Sequence, residues 1–463
     1  MSSKQRPAKR SSNAPKKIEK RAIPKSELDL QVNSTVNYST LCVSEEINFK
    51  NVKLFVETPA KDQQALFVAK CEECCQLCDF SSKSSDRKAK DMKVLFLKQL
   101  ISAFNIPHLV HTMQQQTMTS FFHMISVNLF RPFPKIYRNY VLDTKDSYQD
   151  SAWPHISLIY NCLTSSFNCA QAINELSLPF ISRLVANCGS PDERERIVVR
   201  DILYSIYTKF MSVRDFVRQA IGLYFSNGNC SSELIQFFNS VASGFVSPLN
   251  PEHVTYYFKY IIPLHVLPDY PSYSKVLCEC LKIYISKQML ILSPTILYLI
   301  NHWPKSDRLK QSHFLSVLSE ITTKFETHVS PKVAVDLFKL IGKCVIDLNT
   351  DIAEAALDII FNKSFSMIIR TNSLLVFPSL IEKLYEASKG HWDDCIQNNA
   401  LVALHHLSDI DSVCFNKIYS QHKLIKTQKA AAYGLLKNNW TKIYEAAKSI
   451  DRLVAPLNTD LLK

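Results

Sequence analysis

The segment CEECCQLCDF, Cys71 to Phe80, puts four thiols into eight positions, and no other stretch has as strong a claim to chemistry. Thiolates so closely set could hold zinc, with His108 and His111 as the nearest second pair of ligands. The spacing favours another reading. Cys71, Cys74, Cys75 and Cys78 stand at i, i+3, i+4 and i+7, and the preceding LFVAK continues the same apolar face. On a helix all four line one stripe, whereas a structural zinc site takes two ligands from a tight turn and two from a distant pair. The expectation is a packing face without metal, the thiols acting as small buried apolar groups.

The other reactive residue types give no constellation. His405 and His406 are sequential neighbours in ALHHLSD, and the acid pairs Glu72-Glu73 and Asp393-Asp394 read as solvated helix positions. HExxH, GxSxG, GxGxxG and GxxxxGK[ST] do not occur. The seven glycines all lie at or after Gly189, so a glycine-rich phosphate cradle is not expected. No catalytic residue, metal or cofactor is expected, although an enzyme built on the Cys71 cluster with His108 or His111 stays open as an alternative.

The elements that would position such residues are helices. The chain has 463 residues, 46% apolar and 21% charged, which is globular composition. LFVAKCEECCQL, VLFLKQLISAF, HISLIYNCL, FLSVLSEITTKF and AVDLFKLIGKCV repeat apolar residues at i, i+3, i+4 and i+7, and the shorter AALDIIF at i, i+3 and i+4, the mark of amphipathic helices in need of partners. SPDERER offers Ser190 as N-cap, Pro191 in the first turn and Glu193 to close a capping box. Asn250-Pro251, Ser293-Pro294 and Ser330-Pro331 are further starts, with Asn372 and Ser412 as weaker ones. Their steps of 43, 37, 42 and 40 residues match a repeated helical pair of the HEAT or armadillo kind. The fold class expected is all-α, a HEAT/armadillo-like α-solenoid over residues 51–450, between a basic tail over 1–50 and a short tail over 451–463.

The net charge of +12 is concentrated at one end. Residues 1–25 carry nine Lys or Arg against Glu19 alone, leaving +4 for the remaining 438 residues. A nearly neutral body with a basic arm argues against a nucleic-acid-binding domain. The arm has no apolar core of a secretory signal, and a nuclear-import signal within residues 4–25, on Lys9, Arg10, Lys16 and Lys17, is one reading of it. The longest uncharged stretch, Gln288 to Ile300, contains Pro294 and is too short to span a bilayer. An intracellular protein, cytoplasmic, nuclear or both, with mostly reduced thiols among its fourteen cysteines, is the expectation.

A resemblance then covers most of the chain. NLFRPFP (Asn128 to Pro134), AWPHISLIY (Ala152 to Tyr160), SPDERER, IYTKF (Ile206 to Phe210), GFVSPL (Gly244 to Leu249), IIPLH (Ile261 to His265), HWPKS (His302 to Ser306), SKGHW (Ser388 to Trp392) and, more weakly, NNWTKIYEAAK around Trp440 follow one another as in the B-prime family of protein phosphatase 2A regulatory subunits. CCQLCDF is similar to a helix of that family, with Cys78 where an aromatic is expected. The resemblance spans roughly residues 60–450. It implies a HEAT-like solenoid that assembles with a scaffold subunit and a metal-containing serine/threonine phosphatase catalytic subunit, and that recruits client proteins through short disordered motifs of the LxxIxE kind.

Carried over residue by residue, the family's motif groove falls on Tyr204, Ser205, Tyr207, Arg214, Arg218, Phe237, Val241, Asn250 and His253. Tyr207, Arg214, Arg218 and His253 keep the family residue. Phe237 and Val241 replace isoleucines, while Tyr204 replaces a His, Ser205 an Arg and Asn250 a Lys. Three groups that are or can be cationic are gone, so weaker or retuned selection of acidic motifs is implied. Without the resemblance, Arg214 and Arg218 would read as a solvated pair, Asn250 as an N-cap only and His253 as solvent-facing. A solenoid of another class, such as a nuclear-transport or scaffolding adaptor, is the alternative. A transport receptor for basic cargo usually presents an acidic face, which this near-neutral body does not signal.

Overall fold

A computed structural model describes residues 53–82, 84–133, 148–451 and 455, and every regular element among them is a helix. The fold is an all-α solenoid of packed helical hairpins. The basic tail over 1–50, on which the import-signal expectation falls, and most of the stretch 451–463 lie outside the described residues. The chain divides into two compact units, one ending at Cys169 and the other beginning at Ala170, a division without counterpart in the single span expected from sequence.

The first unit is built round the cysteine helix. Phe67, Phe104 and Phe121 meet with ring centroids 5.2 to 5.7 Å apart and are fully or almost fully buried. Cys71 and Cys74 face the same interior, and burial pushes both thiols up, Cys74 to about 12. Such thiols stay protonated at neutral pH and are poor nucleophiles. The helix is shorter than its periodicity suggests. It runs Gln63–Cys74, so Cys75 is its C-cap and Cys78 lies beyond it, buried but not on the helical stripe.

The ending has a physical cause. Asn128 Nδ2 donates to Cys74 O at 3.1 Å, and Lys93 Nζ donates to Gln76 O at 2.6 Å and to Asn128 Oδ1 at 2.7 Å. Side chains from other helices thus take terminal carbonyls that a longer helix would have bonded itself. Lys93 is almost fully buried, and Asn128 opens the NLFRPFP motif. Close by, Lys70 has its ammonium 5.5 and 4.6 Å from the ring centroids of Phe55 and Phe96 and no hydrogen-bond acceptor among the described residues. His108 and His111 are exposed on the helix Pro107–Thr112, whereas Cys71 and Cys74 are buried.

The second unit carries the repeat. Side-chain hydrogen bonds join residues a nearly constant distance apart in sequence: Arg196 to Glu233 over 37 residues, Tyr257 to Thr295 over 38, Ser274 to His313 over 39, Ser366 to His406 over 40 and Ser373 to Asp411 over 38. Each ties a residue to one a single repeat further on, so the period read from helix starts is also the register of the packing.

Ser330 and Asn250 are N-caps with proline first in the helix. Three expected starts shift by a residue or two. At SPDERER the cap is Asp192, which accepts the Arg194 N–H at 3.0 Å, and Ser190 Oγ instead accepts the Asp192 N–H at 3.2 Å in the turn before. The helix Leu292–Asn301 follows a 3-10 turn directly and takes Ser293-Pro294 into its first turn, where proline forfeits no helical bond. Ser412 yields to Asp411, whose carboxylate accepts the Cys414 N–H at 3.0 Å. The last helix, Ser412–Ile450, has 39 residues, of which only Cys414 and Phe415 are buried.

Candidate functional site

The helix Glu193–Lys209 ends beside a cleft of about 490 Å3 in the second unit. A 3-10 turn, Met211–Val213, redirects the chain into the helix Arg214–Ser226; the helix Ser232–Ser243 forms the second wall, and the loop after it leads to Pro251–Tyr256. These walls are fixed by local chemistry. Ser231 caps its helix by accepting the Leu234 N–H at 3.3 Å, and Ser247 Oγ donates to Lys287 O at 2.9 Å, tying the loop to the next repeat.

The floor is aromatic. Tyr207 is 7% exposed and stands edge-on to Phe237 at 5.6 Å, which stands edge-on to Phe238 at 5.4 Å. Arg214 lies over the Tyr207 ring at 5.0 Å, and its Nε donates to Tyr207 O at 2.8 Å. That bond fixes the guanidinium yet uses one donor, leaving its two terminal nitrogens for a ligand. Arg218 is more fully engaged: it donates to Tyr207 Oη at 2.9 Å and pairs with Asp215. Its backbone carbonyl accepts Tyr256 Oη at 3.1 Å.

On the far side His253 is stacked on Phe245, ring centroids 3.9 Å apart, and Phe245 in turn stands edge-on to Tyr284 at 6.1 Å. Burial, aided by the nearby Arg218 charge, holds the His253 pKa below its ordinary value, so the ring is neutral at pH 7. Asp215 and Glu252 also line the cleft, and their two negative charges formally balance Arg214 and Arg218. A neutral-on-balance cleft with one guanidinium fork held open suits an extended segment bearing an apolar side chain and a carboxylate.

Of the residues named from sequence, Tyr204, Tyr207, Arg214, Arg218, Val241, Asn250 and His253 line this cleft. Phe237 is 1% exposed and supports the floor from beneath. Ser205 is exposed outside the lining, its hydroxyl donating to Asp201 O at 2.9 Å. The solvated reading of the arginine pair and the solvent-facing reading of His253 give way to packed, half-buried side chains. Asn250 is an N-cap by position, but its side chain makes no capping bond, which leaves it to the cleft.

Sequence reasoning missed Thr208, Met211, Asp215, Ser240, Gly244, Phe245 and Glu252. Asp215 had a signal, since it stands three residues before Arg218 in RDFVR, the spacing of a helical ion pair. Met211, 73% exposed at the mouth, had none. Among the described residues, no three His, Cys, Asp or Glu side chains converge as a metal centre.

A family model described as protein phosphatase 2A regulatory B subunit (B56 family) matches residues 52–447. The serine/threonine-protein phosphatase 2A 56 kDa regulatory subunit delta 1 isoform of Schizosaccharomyces pombe is 27% identical over 444 residues, covering 92% of this chain and 81% of that protein. The kappa isoform of the 57 kDa B' regulatory subunit from Oryza sativa is 29% identical over 410 residues, 85% of this chain and 80% of its own length. The 56 kDa regulatory subunit alpha isoform of Homo sapiens is 27% identical over 402 residues, 84% and 82% respectively. A helical-repeat chain whose cleft falls inside so long a match belongs to the B56 family of protein phosphatase 2A regulatory B subunits.

Proposed function

We propose that the chain is the non-catalytic, substrate-targeting subunit of a protein phosphatase 2A holoenzyme, binding the scaffold and catalytic subunits and recruiting clients whose short LxxIxE-like motifs enter the Tyr207 cleft. The observation that carries this reading is Arg214, anchored through Nε with its terminal nitrogens open, above an aromatic floor bordered by Val241. An apolar motif residue packs against Tyr207 and Val241, and the motif carboxylate meets the guanidinium fork. Asp215 and Glu252 temper the field, so selection among acidic or phosphorylated flanking positions is weak. The subunit works in the cytoplasm, the nucleus or both, and removal of residues 4–25 shifts it toward the cytoplasm if that segment directs import.

The test is titration of matched peptides against the purified chain. Wild type binds the motif with an affinity on the order of micromolar. Arg214→Ala weakens it by about ten- to a hundredfold, the worth of a hydrogen-bonded charge pair. Changing the motif Glu to Gln then costs the variant much less than wild type, because both changes remove one interaction. Additive losses would mean that Arg214 does not read that carboxylate, and no wild-type binding would remove the motif-recruitment reading. Reconstitution with scaffold and catalytic subunits tests the assembly itself: the chain alone releases no phosphate, and its addition changes which phosphoproteins the trimer acts on.

A further inference from the structure

Among the described residues, the buried positions of the helix Ser412–Ile450 are Cys414 and Phe415, both in its first turn. Phe415 stands edge-on to Phe377 at 6.3 Å, His422 to Tyr385 at 5.3 Å, and Lys426 lies over the Tyr385 ring at 4.4 Å. From Thr427 to Ile450 no residue is buried. Those 24 residues extend roughly 36 Å at 1.5 Å per residue. Most of a helix's stability comes from packing its apolar face, and this segment, with Gly434 near its middle, packs none of its face deeply, which leaves it in want of a surface.

Its side chains say which surface. Ile425, Leu435, Leu436, Trp440, Ile443 and Ile450 are 41 to 89% exposed and fall on one side of the helix. With Leu424 they cover an arc of roughly 160° at 100° per residue, wider than the seam of a coiled coil. Lys426 and Lys437 lie about 40° and 60° beyond one edge of the arc and Lys442 stands on the other edge, while Lys448 is on the polar side at 100° per residue. Lys429 falls within the arc, where a long stem can lie along the apolar face with its ammonium raised. Between Gln421 and Ile450 there are six lysines against Glu445 alone, and Glu445 is on the opposite, polar side.

We infer that this helix is a peripheral membrane-docking element for anionic phospholipid. A broad apolar face with bordering lysines and a tryptophan is the form that lies in the headgroup plane, where the apolar residues enter the acyl boundary and the lysines pair with phosphates. The same charge opposes a second copy, since two such helices side by side would set lysine against lysine. The helix lies on the bilayer and does not cross it, for no single described helix is long and apolar enough to span.

Co-sedimentation of the full chain with vesicles of pure phosphatidylcholine, and of phosphatidylcholine with phosphatidylserine, tests this. The expected result is binding to the serine-containing vesicles that falls steeply with salt, together with a blue shift of tryptophan fluorescence that Trp440→Phe abolishes. Replacing Lys429, Lys437 and Lys442 together with Gln lowers partitioning by tenfold or more, while circular dichroism and peptide binding in the Tyr207 cleft stay unchanged. Trp440→Glu, at a partly exposed site, gives an independent loss. Equal binding to both vesicle types, indifference to the lysine changes, self-association through this helix at micromolar concentration, or capture of an acidic amphipathic peptide without vesicle binding would each overturn the inference.

Discussion

The two compact units close their interiors in different ways. In the second unit, side-chain bonds between layers recur at 36 to 44 residues, so each hairpin meets its neighbour much as that neighbour meets the next. In the first, the separations are irregular: Lys93 reaches Gln76 across 17 residues and Asn128 across 35, Gln64 reaches Thr112 across 48 and Asn128 reaches Cys74 across 54. Regular stacking spreads stability over many equivalent contacts, whereas an irregular junction concentrates it in a few buried polar groups that cannot be lost singly.

The largest expected effect follows from that concentration. Lys93→Met keeps the aliphatic stem but removes the donor that two acceptors share, and it should destabilise the chain by about 3 kcal/mol or more in urea unfolding. A loss below about 1 kcal/mol would mean that the ammonium does not hold the junction closed. Glu233→Ala in the second unit cuts one interlayer bond and should cost less, about 2 kcal/mol, because Arg196 keeps its bonds to Ser190 O and Pro191 O. Hydrogen exchange sharpens the contrast: acceleration should stay within the helices Glu193–Lys209 and Ser232–Ser243, since layers couple to neighbours only. Acceleration throughout the unit would contradict the layered picture.

The smallest effect has the opposite sign. Lys70 is 0% exposed and its amine has no acceptor among the described residues, so Lys70→Met should stabilise by about 1 kcal/mol at neutral pH. Burial lowers its pKa in the folded chain below the ordinary 10.5. Between that lowered value and 10.5 the unfolded chain binds more protons, so wild-type stability rises with pH across this window and the advantage of methionine shrinks. An advantage that grows as pH rises toward 10 would refute the buried-amine account.

The repeat was legible from sequence because Pro and Asn or Ser at helix starts are local signals, and the core followed from apolar spacing. The exact caps were less legible. Asp192 outcompetes Ser190 because its carboxylate serves both the helix N-terminus and the Arg194 side chain, a choice that depends on side-chain packing. The early end of the cysteine helix was illegible for a similar reason: its terminators, Lys93 and Asn128, come from distant helices. At the cleft, the resemblance supplied the arginines and Tyr207. Of the balancing acids, Asp215 was legible as the i,i+3 partner of Arg218, whereas Glu252 is not distinctive without its neighbours in space.

The near-constant spacing of interlayer bonds constrains how a gene encoding such a chain can change length. Inserting one residue inside a helix rotates everything after it by about 100° and takes Tyr257 away from Thr295 or Ser373 from Asp411. Gaining or losing a whole repeat of about 40 residues leaves every surviving bond in register. Viable length variation in the second unit should therefore come either in loop-sized steps between helices or in multiples of one layer, with little tolerated between.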